Sequence, residues 1–203
     1  MSAPKKLQKA RYAYSEVVSL VNNYAKDKKE VLELGCGTGN NLVFFAESGF
    51  RATGVDVDSR ALVYAKKLLK EKGLKARLKL ADAARLPYPK ASFDLVLDRA
   101  CLQHNKIFKV KAIIREVSRV LRTGGLFMII HFRSKQDYAA KNHKLDRTFA
   151  SYDEVSFINA AELKSLLKDF QIIYLEHLKQ EVLLPGRFNR CHYVAVARKK
   201  GLS

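Results

Sequence analysis

A glycine-rich turn and a distant carboxylate are the residues of this 203-residue chain whose types and spacing could do chemistry. A largely apolar segment, 31–34, leads into Gly35, Gly37 and Gly39, and a second apolar segment ends at Asp56. Glycine adopts positive φ freely and lets a ligand rest on bare backbone. A carboxylate about twenty residues beyond such a turn is placed to accept hydrogen bonds from both hydroxyls of a ribose. The spacing therefore predicts a site for a nucleoside-type cofactor.

The dinucleotide-binding fingerprint is the rival interpretation of the same turn. When Gly35 and Gly37 are aligned on that fingerprint, Asn40 occupies the third position, where a small residue lets the helix pack closely on the strand. Gly39 lies one residue too early. Because a three-glycine turn alone is a weak signal, the choice between the two depends on the rest of the chain.

Five segments of the chain resemble, in order and spacing, the motifs of class I S-adenosylmethionine-dependent methyltransferases. These segments are 33–39, 54–58, 81–87, 92–98 and 119–126. The one departure in the last segment is Thr123, where the family usually has proline, and threonine also suits a turn. The resemblance covers roughly residues 31–131. It implies S-adenosylmethionine as cofactor, S-adenosylhomocysteine as product, and an α/β fold with a doubly wound, seven-stranded, mostly parallel sheet whose last strand is antiparallel.

The resemblance also implies which residues contact the cofactor. Asp56 resembles the acid that binds the ribose, Asp82 resembles the acid that contacts the adenine amino group, and Glu33 resembles the acid that helps to hold the methionine ammonium. The cofactor-binding residues expected on this basis are Glu33, Gly35, Cys36, Gly37, Gly39, Asn40, Asp56, Val57, Asp82, Ala83 and Asp98.

Methyl transfer from a sulfonium needs few catalytic side chains, because the leaving group is already activated and the protein mainly supplies geometry and excludes water. His104 follows the fourth strand and could act as a general base, or could only fix its loop. Asp98 could face the methionine end of the cofactor or the acceptor, or cap a turn. We predict His104 and Asp98 as catalytic residues and no metal. His131, Tyr152, His192 and Tyr193 could line the acceptor side or belong to the core or surface.

The net charge of +18 and the pI near 9.9 are typical of proteins that attract polyanions, although exposed lysines also serve solubility alone. Residues 64–90 hold nine basic and two acidic side chains. A small-molecule acceptor is the leading hypothesis. The second hypothesis makes tRNA the acceptor, because some segments also look like those of wobble-uridine methyltransferases. The third is a non-catalytic cofactor-binding subunit or sensor. The sequence leaves the oligomeric state open.

Strand and helix patterns alternate along the chain and predict one domain, 1–203, with a parallel sheet. It divides into a leading helical cap (1–30), a cofactor-binding core (31–131) and an acceptor-side region with a loop, a helix and two strands (132–203). The predicted helices are 7–25, 40–48, 59–72, 106–122 and 159–168, and the predicted strands are 31–35, 51–56, 76–81, 93–98, 125–131, 170–178 and 190–198. Without an apolar signal core, a long apolar run or paired cysteines, we expect a cytoplasmic protein with no membrane contact.

Overall fold

The computed structural model describes residues 9–137, 140, 155–181 and 190–201. Its centre is a seven-stranded sheet with the order β3-β2-β1-β4-β5-β7-β6. The strands are β1 (Glu30–Leu34), β2 (Arg51–Asp56), β3 (Arg77–Leu80), β4 (Phe93–Arg99), β5 (Leu121–Arg133), β6 (Phe170–Gln180) and β7 (Arg190–Lys199). The helices are α1 (Ser15–Tyr24), α2 (Asn40–Glu47), α3 (Ser59–Glu71), α4 (Ile107–Val120) and α5 (Ala160–Leu166), with a 3-10 helix at Leu102–His104.

Strand direction confirms the predicted fold class. The neighbours from β3 through β2, β1 and β4 to β5 pair in parallel, and β7 runs antiparallel to both β5 and β6. The strand order reverses at β1, between β2 and β4. In such sheets, ligands bind beyond the carboxyl ends of the strands at this switch point.

Helices cover both faces of the sheet, so its central strands are buried on both sides. Leu32 and Val96 pack in one apolar layer with α4 and α5. Their chain neighbours Val31 and Leu95 pack in the opposite layer with α1 and α2. Because successive strand residues point to opposite faces, this double burial requires nearly continuous apolar strands, as the sequence has.

The leading helix is shorter than predicted. It begins at Ser15, and residues 9–14 are not helical. The amide of Asn40 donates to the carbonyl of Tyr12 at 2.9 Å, and the backbone N–H of Tyr14 donates to Asn41 at 3.2 Å. These contacts with the start of α2 use backbone groups that the predicted helix would have used internally. The prediction of a helix from residue 9 to 14 was therefore wrong, and residues 7 and 8 lie outside the described part.

Several predictions fall on residues that the structure does not describe. Tyr152 and most of the predicted acceptor-side loop lie outside the described ranges, and the division of the chain into cap, core and acceptor regions stays a prediction. Within the described ranges, no helix combines the length and apolar character needed to cross a bilayer. The cytoplasmic location stays a prediction.

Candidate functional site

The glycine turn connects β1 to α2 and leaves one stretch of backbone open. Gly39, just before α2, has a φ of 83°, and a Cβ there would lie 2.8 Å from the Cβ of Ala65 in α3. Gly37 has a φ of 53°, and a Cβ there would meet no atom of the described residues within 4 Å. Gly39 therefore permits close packing of two helices, whereas the space beside Gly37 is available to a ligand.

Asp56 ends β2 and faces this turn. Its Oδ2 accepts the Gly37 N–H at 2.7 Å, and its Oδ1 accepts the Asp58 N–H at 2.9 Å. A carboxylate has about four acceptor positions, so two backbone bonds leave capacity for a ligand's hydroxyls. Val57, the next residue, is 69% exposed, which provides an apolar surface beside the carboxylate.

Glu33 and Asp98 lie on the neighbouring strands β1 and β4 and are almost completely buried. Glu33 Oε1 accepts from the Asn41 amide at 2.7 Å, while Asp98 Oδ1 accepts the N–H groups of Cys101 and Leu102 at 3.1 and 2.9 Å. Among the described residues, Glu33 Oε2 and Asp98 Oδ2 have no hydrogen-bond partner. Burial raises the pKa of Glu33 to about 8 and that of Asp98 to about 7. Both oxygens favour a cationic or hydrogen-donating ligand.

Asp82 follows β3 and is engaged within its own loop. Its Oδ1 accepts the Ala84 N–H at 2.9 Å, and its Oδ2 lies 2.8 Å from Lys109 Nζ. Partial burial acts to raise the Asp82 pKa, but the hydrogen bond from Lys109 acts against it and the net shift is downward. Asp82 is therefore ionised, and 44% of its side chain is exposed beside buried Ala83.

Cys36 and Asn40 belong to the turn, but both side chains are used by the fold. A Cβ on Gly54 would lie 2.7 Å from the Cys36 sulfur, so this thiol packs inward against β2. The Asn40 amide holds the carbonyl of Tyr12. Any ligand contact at these two positions therefore falls to the main chain.

His104 ends the 3-10 helix that follows Asp98. Its backbone N–H donates to the carbonyl of Cys101 at 3.1 Å, and its ring Nε2 lies 3.4 Å from the amide nitrogen of Gln103. The loop continues into Asn105, whose carbonyl accepts the Ser156 hydroxyl at 2.6 Å. His104 thus lies between the Asp98 turn and the contact that Asn105 makes with Ser156 of the predicted acceptor-side region.

A second polar cluster lies where α1 meets the carboxyl ends of β4 and β5. The Arg99 guanidinium lies 3.3 Å from the ring centroid of Tyr14, and its NH2 group lies 3.4 Å from Glu16 Oε1. The His131 Nε2 lies 3.2 Å from the same oxygen, and its ring stacks on His192 at 4.0 Å. We name these five residues the α1–β5 cluster.

Sequence reasoning missed Glu16, Asn41 and Arg99 as parts of the site. Glu16 and Arg99 are 83 residues apart, so no local spacing pattern connects them. Asn41 looks like an ordinary first-turn residue of α2. The signal available was the position of Arg99, directly after the predicted site residue Asp98. His131 and His192 were predicted as acceptor-side candidates, and the structure brings them together.

The glycine turn, the acid at the end of β2 and the strand order can be compared with known proteins. Residues 31–125 match a family described as methyltransferase domain. An S-adenosylmethionine-dependent methyltransferase of Methanosarcina mazei is 25% identical with a TM-score of 0.74, and the match covers 93% of this chain and 99% of that one. Residues 31–125 therefore have the sequence of a methyltransferase domain, and the fold resembles that of S-adenosylmethionine-dependent methyltransferases.

Other relatives of this methyltransferase domain act on named acceptors. Demethylmenaquinone methyltransferase of Tropheryma whipplei is 30% identical over 118 residues, which are 58% of this chain and 47% of that protein. The chain thus spans about half the length of the curated relatives it matches. The 1,6-didemethyltoxoflavin-N1-methyltransferase of Burkholderia thailandensis, solved with its substrate and S-adenosylhomocysteine, has a TM-score of 0.71 and 22% identity, with 92% of this chain and 78% of that chain covered.

The Methanosarcina mazei protein is described as S-adenosylmethionine-dependent and the Burkholderia thailandensis structure contains S-adenosylhomocysteine, so the cofactor predicted from the sequence is confirmed. The described residues fit it chemically. Its amino acid end carries an ammonium group, and the unpartnered oxygens of Glu33 and Asp98 favour such a donor. The open backbone at Gly37 and the carboxylate of Asp56 suit its adenosyl end.

Proposed function

We propose that the chain transfers a methyl group from S-adenosylmethionine to a small-molecule acceptor. The observation that carries the proposal is made at the carboxyl ends of β1 and β4, where two buried carboxylate oxygens without hydrogen-bond partners among the described residues lie near an open glycine backbone. Two of the similar proteins are named for small acceptors, demethylmenaquinone and 1,6-didemethyltoxoflavin. In our proposal, the acceptor of this chain is likewise a small molecule.

In this proposal, each part of the cofactor has its own group of residues. Asp56 accepts from the ribose hydroxyls, and Val57 with Ala83 borders the base, whose amino group Asp82 contacts. The backbone of the turn supports the adenosyl group, and Glu33 holds the ammonium. Gly35, Cys36, Gly37, Gly39 and Asn40 act through their main chain.

The bound cofactor supplies a methyl group already activated on a sulfonium, so the protein has to position the acceptor and exclude water. Asp98 is proposed to hold the methionine end from the β4 side, because its second oxygen is free of partners among the described residues. His104, on the loop that Asp98 fixes, is proposed to border the acceptor. Among the described residues, no group of three histidine, cysteine or acidic side chains could hold a metal ion.

Transfer to tRNA is the second candidate, and the basic surface favours it. Lys66, Lys67, Lys70 and Lys72 lie on or directly after α3, and Arg77 and Lys79 lie on β3 at the edge of the sheet. Phosphate binding by such a surface is sequence-independent and weakens steeply with salt. Tight, salt-dependent retention on tRNA is what this candidate requires.

The experiment incubates the protein with S-adenosylmethionine labelled in its methyl group and, separately, with the small-molecule and RNA fractions of a cell extract. We expect label in a small-molecule product, and no transfer by Asp56→Ala. Nuclease-sensitive label in the RNA fraction instead would replace the leading proposal with the tRNA candidate. Cofactor binding without transfer to either fraction would favour the non-catalytic subunit or sensor.

A further inference from the structure

Two residues at the carboxyl ends of β4 and β5 have a backbone conformation that non-glycine residues avoid. Ala100, just after β4, and His131, near the end of β5, both have a φ of 65°. They are neighbours, because the Ala100 N–H donates to the carbonyl of Ile130 at 2.9 Å. Such a conformation costs about 1–3 kcal/mol per residue and occurs preferentially at functional sites. The backbone at the carboxyl ends of β4 and β5 is therefore strained.

A bulge in β5 determines where the His131 side chain lies. Ile130 pairs with Val194 and Phe132 pairs with Tyr193, so His131 is an extra residue without a partner in the ladder. Bulges of this kind redirect a side chain, and they occur frequently beside active sites. The ring of His131 stacks on His192, and 35% of its side chain is exposed. A small molecule can therefore reach it.

Glu16 gives the His131 ring a defined orientation. Its Oε1 lies 3.2 Å from His131 Nε2. Since an ionised carboxylate only accepts hydrogen bonds, a neutral His131 carries its proton on Nε2 and presents the lone pair of Nδ1. A hydrogen bond from His131 lowers the Glu16 pKa to about 2, despite the opposing effect of burial. Glu16 is thus ionised throughout the physiological pH range.

The other charged and titratable groups around His131 support this arrangement. Arg99 approaches Glu16 from β4 and helps to keep it ionised and in place. His192 faces the ring from β7, and burial, together with the charges of His131 and Arg133, lowers its pKa to about 4. His192 therefore stays neutral and does not compete for a proton. Arg133 on β5 itself is paired with Asp137.

Arg99 also connects the cluster to the proposed cofactor site. It directly follows Asp98 on β4, and its positive charge acts to lower the pKa of Glu33 against the larger effect of burial. Its Nε is buried and has no partner among the described residues. One arginine thus lies between the acid proposed to hold the cofactor's ammonium and the Glu16–His131 pair.

We propose that His131, oriented by Glu16, is the general base that removes a proton from the acceptor. The inference rests on the proposed function and assigns to His131 the general-base role that the sequence analysis considered for His104. It also restricts the acceptor to molecules in which the oxygen or nitrogen that attacks the methyl carbon carries a removable proton. Glu16 and Arg99 are positioning residues in this scheme.

The proposed step is balanced in atoms and charge. The acceptor's O–H or N–H bond breaks, and its proton moves to Nδ1 of His131. The electron pair of that oxygen or nitrogen forms the new bond to the methyl carbon. The carbon–sulfur bond of the donor breaks, and its electron pair stays on sulfur. The imidazolium that results is matched by the charge of Glu16.

The first test compares His131→Gln and Glu16→Gln with His177→Gln as the control. His177 stacks on Tyr193 at 4.5 Å, and Tyr193 belongs to the apolar layer on the α4 side. The probes are S-adenosylhomocysteine for binding and labelled S-adenosylmethionine with the small-molecule fraction for transfer. We expect normal binding by all three variants, and turnover lowered about 100-fold or more in His131→Gln, since a general base contributes about 10²–10⁴. The fall of the transfer rate at acidic pH should also disappear from the pH–rate profile of His131→Gln.

The second test needs no acceptor. Nitrogen NMR of ¹⁵N-histidine-labelled protein should show neutral His131 as the Nε2–H tautomer in the wild type, and a loss of that preference in Glu16→Gln. An Nδ1–H tautomer in the wild type would overturn the proposal. The proposal would also be overturned if the His131→Gln variant bound S-adenosylhomocysteine and kept at least half of the wild-type turnover. Failure of the wild type to bind S-adenosylhomocysteine would instead refute the proposed function.

Discussion

The side chain of Asn41 joins Glu33 to the segment that precedes α1. Its Nδ2 donates to Glu33 Oε1 at 2.7 Å, and its Oδ1 accepts the Tyr14 N–H at 3.2 Å. Asn41 is 1% exposed and Glu33 is 3% exposed, so water does not replace either bond readily. The acid proposed to hold the cofactor's ammonium is thereby fixed by the same side chain that holds the chain's approach to α1.

Asn41→Ala should destabilise the protein by about 1–3 kcal/mol, because it leaves a buried carboxyl oxygen and a backbone N–H without partners. It should also weaken S-adenosylhomocysteine binding, since Glu33 loses its orientation. Urea unfolding and calorimetry measure the two effects. Asn23→Ala, at an exposed position on α1, is the control and should change stability by less than about 0.5 kcal/mol. Equal stability of the two variants would show that the Asn41 bonds do not matter.

The raised pKa values of Glu33 and Asp98 predict a pH dependence of stability. Their ordinary pKa values are 4.5 and 3.8, and burial raises them to about 8 and about 7. From about pH 4 to pH 8 the unfolded chain therefore loses protons that the folded protein keeps. The contribution of these two groups to stability is complete below the ordinary values and falls as pH rises through this window.

Cofactor binding should reverse this proton balance. An ammonium group favours the ionised carboxylates, so S-adenosylhomocysteine binding near about pH 6.5 should release protons. Calorimetry in two buffers of different ionisation enthalpy counts them. Glu33→Gln should release fewer protons than the wild type. Equal proton counts in the two proteins would exclude ionisation of Glu33 on binding.

Gly37→Ala and Gly49→Ala form a matched pair. Both glycines have positive φ, 53° and 81°, and within the described part of the chain a Cβ at either would meet no atom within 4 Å. Both substitutions should therefore cost a similar amount of stability, about 1–2 kcal/mol. Only Gly37→Ala should weaken S-adenosylhomocysteine binding, because its methyl group occupies the open space beside Asp56. A parallel loss of affinity in Gly49→Ala would mean that backbone strain, and not the ligand space, is responsible.

The sequence was sufficient to predict the sheet and the glycine turn because both have local patterns. Continuous apolar strands and alternating helices indicated a parallel sheet, and six of the seven strands form within two residues of the predicted boundaries. The exception is β5, which begins at Leu121, four residues before the predicted start and inside the predicted helix 106–122. The main error was the start of the leading helix. Its apolar period continues before Ser15, but Asn40 and Asn41 bind the backbone of residues 12 and 14, and such tertiary contacts have no local signature.

The candidate site also contains residues that the sequence could predict and residues that it could not. The positions of Asp56 and Asp98 at strand ends could be predicted, since a carboxylate at the end of an apolar strand is visible in the sequence. The Glu16–His131 contact could not, because it depends on the packing of α1 over β5 and on a bulge that moves His131 out of the ladder. The partner of a site residue can be identified only once the fold is known.

Calorimetric titration with S-adenosylhomocysteine of the wild type, Asp56→Ala and Asp58→Ala tests the central claim most directly. Asp58 caps α3 by accepting the Arg60 N–H at 2.9 Å, so its loss costs stability but no proposed ligand contact. We predict that the wild type and Asp58→Ala bind. The affinity of Asp56→Ala should be lower by about 100-fold or more, because this variant lacks the acceptor for two ribose hydroxyls. Unchanged affinity in Asp56→Ala, or no binding by the wild type, would contradict the proposed cofactor site.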